Sequence, residues 1–193
     1  FYHEHPRTYS ATSFLFIAKQ LGMNIDQIEF PKRYGGNIRV IFTKKKTNFK
    51  KSIIINKEKH FLKEIFEMQK RVNKWKQTKK NFINTLYLKH GPMIAKAFPG
   101  RAAILVRLLG LNKKIISGVF EKEGSMKIGN YVPGTKIPIK PDTELFKIMN
   151  SFKIIINFSW HISKEIKRYL RSNGYKGKIY NIIEKKDFTK SIN

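Results

Sequence analysis

The stretch Phe1-Tyr2-His3-Glu4-His5 puts a phenol, two imidazoles and a carboxylate within five residues, directly ahead of an amphipathic run. Imidazole has a pKa near neutrality, so it is the side chain best suited to taking and returning a proton. The cluster reads either as part of a proton-transfer site or as a polar, solvated chain end. It does not call for a metal: His3 and His5, two residues apart, share a face only in a strand, and no third ligand is evident.

Three further groups carry binding chemistry. Pro99-Gly100-Arg101 stands between an apolar run that reads as a strand and one that reads as a helix. Free N–H groups and the macrodipole at a helix start favour an anion there, and Arg101 would clamp a diphosphate. Gly35-Gly36 allow close backbone approach, and Arg39 nearby is a candidate partner for a phosphate; an ordinary turn with a surface charge fits equally well. Trp160-His161 follow the end of a strand-like run, where open α/β sheets place ligands. Trp160 suits stacking on a ring, although a core tryptophan is the stronger expectation. The turn Val132-Pro133-Gly134-Thr135 either borders a cleft or is a plain turn.

The elements that must position these residues follow from periodicity. Phe14, Leu15, Ile17, Ala18 and Leu21 predict a helix over 8–22 that Gly22 ends. Residues 25–30 and 37–44 predict two strands around a Pro/Gly turn. Over 45–90, Phe61, Leu62, Ile65, Phe66, Met68, Val72 and Trp75 recur at three- and four-residue steps, which predicts one long helix or two, stopped at Gly91-Pro92. Strands are predicted at 93–98, 114–120, 152–158 and 177–183. Helices at 99–110, 142–150 and 163–174 alternate with them, around a glycine-rich loop at 121–139. That alternation implies an α/β fold with a mostly parallel, Rossmann-like sheet, and the last residues read as a loose tail.

Composition sets the outer limits. The 193 residues hold 41% hydrophobic and 13% aromatic side chains, enough for a packed core. With no cysteine, disulfides and thiolate metal sites are excluded. No apolar run approaches the roughly 18 residues of a membrane span and no signal peptide is visible, so a cytoplasmic protein is expected. Forty Lys and Arg against 13 Asp and Glu give a net charge of +27. AT-biased coding explains the abundant lysine but not the scarcity of acids, so a phosphate-bearing partner is expected, as a polymer or as a small nucleotide.

Five stretches, in one order, resemble the sugar C-methyltransferase family. Phe1–His5 is similar to its Tyr-His-Glu-His motif. Tyr34-Gly35-Gly36-Asn37-Ile38-Arg39-Val40 resembles the strand that closes its methyltransferase domain. Ala97-Phe98-Pro99-Gly100-Arg101 and the run to Leu111 resemble its Gly-Ala-Pro-Gly-Arg/Lys turn. Residues 127–139 are similar to its Lys-x-Gly-x-x-x-Pro-Gly-Thr-x-Ile-Pro-Ile, and 158–178 to its Ser-Trp-His-Ile-x-x-Glu-Ile element. Only 45–90 are left non-specific.

The resemblance implies an S-adenosylmethionine-dependent enzyme that methylates a ring carbon of a nucleotide-linked keto-deoxysugar or a similar keto substrate. It assigns 1–45 to the end of a class I methyltransferase domain, 46–90 to a helical connector, 91–184 to a Rossmann-like C-terminal domain and 185–193 to a tail. The S-adenosylmethionine-binding region and a zinc-binding domain are then expected upstream, and the fragment is expected to be inactive alone. His5 would be the base that removes the α-proton, Glu4 would orient the imidazole or bond a sugar hydroxyl, and Tyr2 would donate to the developing oxyanion. Substrate would meet Gly35, Gly36, Arg39, Pro99, Gly100, Arg101, Trp160 and His161. One departure stands out: Ala97-Phe98 replaces the family's Gly-Ala, which predicts hindered backbone approach. A basic α/β module that binds nucleic acid through the lysine-rich 45–90 segment is the alternative, and a degenerate scaffold is a third reading.

Overall fold

The structure, a computed structural model, describes residues 8–31 and 37–188. Its contacts divide the chain into two compact units, Phe1–Gln69 and Lys70–Asn193.

In the first unit, helix α1 (Ala11–Gln20) begins at a reciprocal cap. The Ser13 N–H donates to Ser10 Oγ at 3.2 Å and the Ser10 N–H donates to Ser13 Oγ at 3.3 Å, so α1 starts three residues later than the apolar spacing suggests. The remaining first-turn donors of Ala11 and Thr12 are taken by the Glu58 carboxylate at 2.7 and 2.8 Å. Glu58 ends helix α2 (Lys51–Glu58). Burial opposes its charge, but the bonds from Thr12 and Ala11 outweigh that and hold its carboxyl below the usual range. Strands β1 (Asn24–Glu29) and β2 (Arg39–Thr43) pair antiparallel, as their alternation predicts.

Helix α3 (Phe61–His90) runs across the division between the units. In the second unit Trp75, Ile83 and Leu86 of α3 enter the core. The sheet there has the order β5-β4-β3-β6-β7 and is parallel throughout. Its strands are β3 (Met93–Lys96), β4 (Ile116–Glu121), β5 (Ile139–Pro141), β6 (Ile154–Asn157) and β7 (Lys178–Asn181). Both β3 and β6 are buried at every residue, which explains their unbroken apolar runs. Met93 and Ala95 face α3 and helix α4 (Ala102–Leu109) on one side. Ile94 faces α5 (Asp142–Ile148) and α6 (Ser163–Ser172) on the other.

Two expectations change. The glycine-rich loop hides a fifth strand, β5, only three residues long and ending in Pro141 at the sheet edge, where a missing N–H costs little. The start of the supposed loose tail is docked. Asp187 accepts from Trp75 Nε1 at 3.1 Å and pairs with Lys79 Nζ at 2.9 Å, and the Phe188 ring stacks on Trp75.

A candidate functional site at the carboxyl ends of the parallel strands

From the central β3 the chain winds outward through β4 and β5, then crosses to β6 and β7 on the other side. The loops after β3 and β6 therefore diverge, and the gap between them is the crevice where open α/β sheets take ligands. Pro99-Gly100-Arg101 lies in the first of these loops and Trp160-His161 in the second, so the structure gathers these five predicted residues at one end of one sheet.

The β3–α4 turn is built from Ala97 onward. Ala97 is left-handed, at φ 60°, and its N–H donates to Phe120 O at 2.8 Å. That backbone state explains a glycine at the equivalent family position. The alanine here tolerates it at a strain of about 1 kcal/mol. The Phe98 side chain packs in the core and is 4% exposed, so the feared obstruction of the backbone does not come from its ring. The N–H groups of Ala102, Ala103 and Ile104 donate to the carbonyls of Pro99, Gly100 and Arg101 at 2.7, 3.1 and 3.3 Å. The donors expected from α4 are thus already spent. Within this turn the N–H groups of Gly100 and Arg101 are not spent in this way, and the Arg101 side chain beside them is exposed.

The β6–α6 turn is set by Asn157, which is fully buried. Its Oδ1 accepts the Ser159 N–H at 2.9 Å, and its Nδ2 donates to Ser159 O and to Asn181 Oδ1 at 3.2 and 2.8 Å. Asn181 Oδ1 also accepts from Ser163 Oγ at 2.8 Å. Phe158 N–H donates to Lys96 O at 3.0 Å, which ties this turn to the end of β3. Trp160 packs against the core and stands edge-on to His161 at 5.7 Å. His161 is exposed as a residue, yet desolvation of its imidazole, and then the Arg101 charge, lower its pKa from the ordinary value.

Beneath the crevice Lys96 and Asp142 form a buried ion pair at 2.9 Å. Lys96 Nζ also donates to Phe120 O at 3.2 Å, and Tyr169 Oη donates to Asp142 Oδ2 at 2.7 Å. Sequence reasoning missed this group, as it missed Asn157; the visible signal was a charge or an amide closing each otherwise apolar strand. It also missed Glu121 and Lys127, which bond the Phe98 N–H and carbonyl.

The remaining predicted residues sit elsewhere. Tyr2, Glu4, His5, Gly35 and Gly36 lie outside the described residues. Arg39 pairs with Glu29, its neighbour across the β1–β2 ribbon, at 2.9 Å on the surface. Val132–Thr135 is a tight turn closed by Thr135 N–H to Val132 O at 3.0 Å, with Gly134 at φ 73° beside Arg107, well down α4 from the crevice. No group of three or more His, Asp or Glu able to hold a metal occurs among the described residues. Nor is any described helix long and apolar enough to cross a membrane.

A doubly wound α/β domain with a cationic crevice at its switch point is thus defined, and its sequence identifies the kind. The profile of the C-methyltransferase C-terminal domain matches residues 32–181, and the chain belongs to that family. A search of curated proteins finds no match.

Proposed function

We propose that the chain is the C-terminal portion of an S-adenosylmethionine-dependent C-methyltransferase acting on a nucleotide-linked keto-deoxysugar or a similar keto substrate. The observation that carries this reading is the family match combined with the placement of Arg101 and His161 at the switch-point crevice. Arg101 and the Gly100 and Arg101 N–H groups suit the diphosphate of such a substrate, since a planar guanidinium and backbone donors recognise phosphate oxygens together. His161, its pKa lowered, suits a hydrogen bond to a sugar or phosphate oxygen.

The methyl donor would supply an electrophilic methyl group. Among the described residues no glycine-rich strand-to-helix turn of the donor-binding kind is present, so no step is assigned to the donor here. The proton-transfer role stays with His5, on the family resemblance, with Glu4 and Tyr2 as its helpers. The test is the protein expressed from its complete reading frame, beside its His5→Ala variant. Each is incubated with methyl-labelled S-adenosylmethionine and a panel of nucleotide-linked 4-keto-deoxysugars. The reading predicts label on a sugar carbon and a loss on the order of 10²-fold in the variant. Absence of transfer to every sugar, with salt-sensitive binding to nucleic acid instead, overturns it in favour of the basic module.

A further inference from the structure

The backbone of Phe98, immediately before Pro99, is held at its N–H and at its carbonyl by side chains of the neighbouring strand and loop. Its N–H donates to Glu121 Oε1 at 2.7 Å, and its carbonyl accepts from Lys127 Nζ at 2.7 Å. The same Lys127 Nζ lies 3.6 Å from Glu121 Oε1 and 5.9 Å from the centre of the Phe98 ring. Glu121 is the last residue of β4 and its side chain is 13% exposed; Lys127 comes from the loop that follows and is 46% exposed. Among the described residues, no other side chain bonds the turn between Ala97 and Arg101.

We propose that Glu121 and Lys127 are positioning residues that hold the β3–α4 turn in its anion-binding shape and keep it electrostatically open to an anion. The proposal rests on the reading that this turn takes the phosphates of the substrate. Its physical basis is threefold. The left-handed Ala97 is a strained start to the turn, so some contact must pin the peptide that follows. Pro99 offers no N–H, so the direction of the Gly100 and Arg101 donors depends on how the Phe98 peptide is held. A carboxylate this close to a phosphate site would repel its ligand, and Lys127 cancels that charge while bonding the carbonyl of the same residue. The Lys-x-Gly motif singled out in the sequence thereby gains a role for its lysine, distinct from the Pro-Gly-Thr turn further along.

The test uses the complete protein and two readouts. In the first, UDP, dTDP, GDP and CDP are titrated by calorimetry into the wild type and into Arg101→Ala, Lys127→Met, Lys127→Arg, Glu121→Gln and the Lys127→Met/Glu121→Gln double variant. The proposal expects Lys127→Met to weaken binding of the preferred nucleotide by on the order of tenfold. Lys127→Arg should stay close to wild type, and the double variant should recover much of the loss because the unpaired carboxylate is gone. In the second, amide hydrogen exchange should show the Phe98 N–H protected in the wild type and exposed in Glu121→Ala, without nucleotide. Binding lost in Arg101→Ala but unchanged in Lys127→Met overturns the positioning role and leaves the phosphate reading intact. No binding of any nucleotide by the wild type, or equal binding by Arg101→Ala, overturns that reading and this proposal with it. An unprotected Phe98 amide overturns the clamp by itself, and melting curves show which variants are folded.

Discussion

Lys96 Nζ lies 2.9 Å from Asp142 Oδ1 in a pair whose side chains are 3% and 2% exposed, joining the end of the central strand to the start of α5. Tyr169 on α6 bonds the other oxygen of Asp142, so three elements under the crevice meet on one carboxylate. Desolvation makes such a pair a weak source of net stability, but removing one partner strands a buried charge.

Lys96→Met should therefore destabilise the protein by about 3–5 kcal/mol in urea unfolding. The Lys96→Met/Asp142→Asn double variant should recover a large part of that loss, because no buried charge remains. Equal losses in the single and double variants would show that the lysine acts only by filling space.

One buried phenol, Tyr175, and one half-buried phenol, Tyr169, make the fold sensitive to alkali. Burial first, then the bond to Asp142, raises the Tyr169 phenol well above its usual range, and burial pushes Tyr175 up to about 12 against the pull of Arg171. Raised acids keep their protons in the folded state while the unfolded chain loses them near pH 10. Their contribution is thus complete below pH 10 and is lost as pH rises through 12. Urea midpoints should fall over that window, and Tyr175→Phe should flatten the fall. A wild-type midpoint that is constant from pH 9 to 12 contradicts the argument.

His161 is the group in the crevice that titrates near neutrality. Its pKa, followed by NMR, should lie below the ordinary 6.5. Arg101→Gln should raise it only part of the way back, since burial is the larger cause and the guanidinium the smaller. An unchanged value in the variant would mean that the two turns do not bring these residues within electrostatic reach.

The backbone makes opposite predictions at two small residues. Ala97→Gly should stabilise by roughly 0.5–1 kcal/mol, since relief of a left-handed alanine exceeds the added freedom of the unfolded chain. Gly177→Ala should destabilise by about 1–3 kcal/mol or more. A Cβ there would come within 2.7 Å of the Lys153 carbonyl and clash with the Tyr175 hydroxyl, and backbone cannot swing aside as a side chain can. Thermal melts of both variants check the pair of signs.

The alternation of apolar runs made the parallel sheet legible in the sequence, because strands buried on both faces, such as Ile154–Asn157, have nowhere to put polar residues. Strand β5 was not legible, because three residues that follow Pro138 and end in Pro141 carry no period. Pro99-Gly100-Arg101 and Trp160-His161 could be placed because each follows a strand end that periodicity marks. Lys96, Asn157, Glu121 and Lys127 could not, because their roles arise from partners 24, 24, 23 and 29 residues away, across strands whose pairing the sequence does not state.

The most direct test of the whole account is a kinetic comparison of the complete wild-type protein with Arg101→Ala, using methyl-labelled S-adenosylmethionine and the preferred nucleotide-linked keto-sugar. If the switch-point crevice holds the substrate's phosphates, KM for the sugar should rise by about tenfold to a hundredfold, with kcat little changed and the label on a sugar carbon. An Arg101→Ala enzyme with the KM of the wild type would contradict the account.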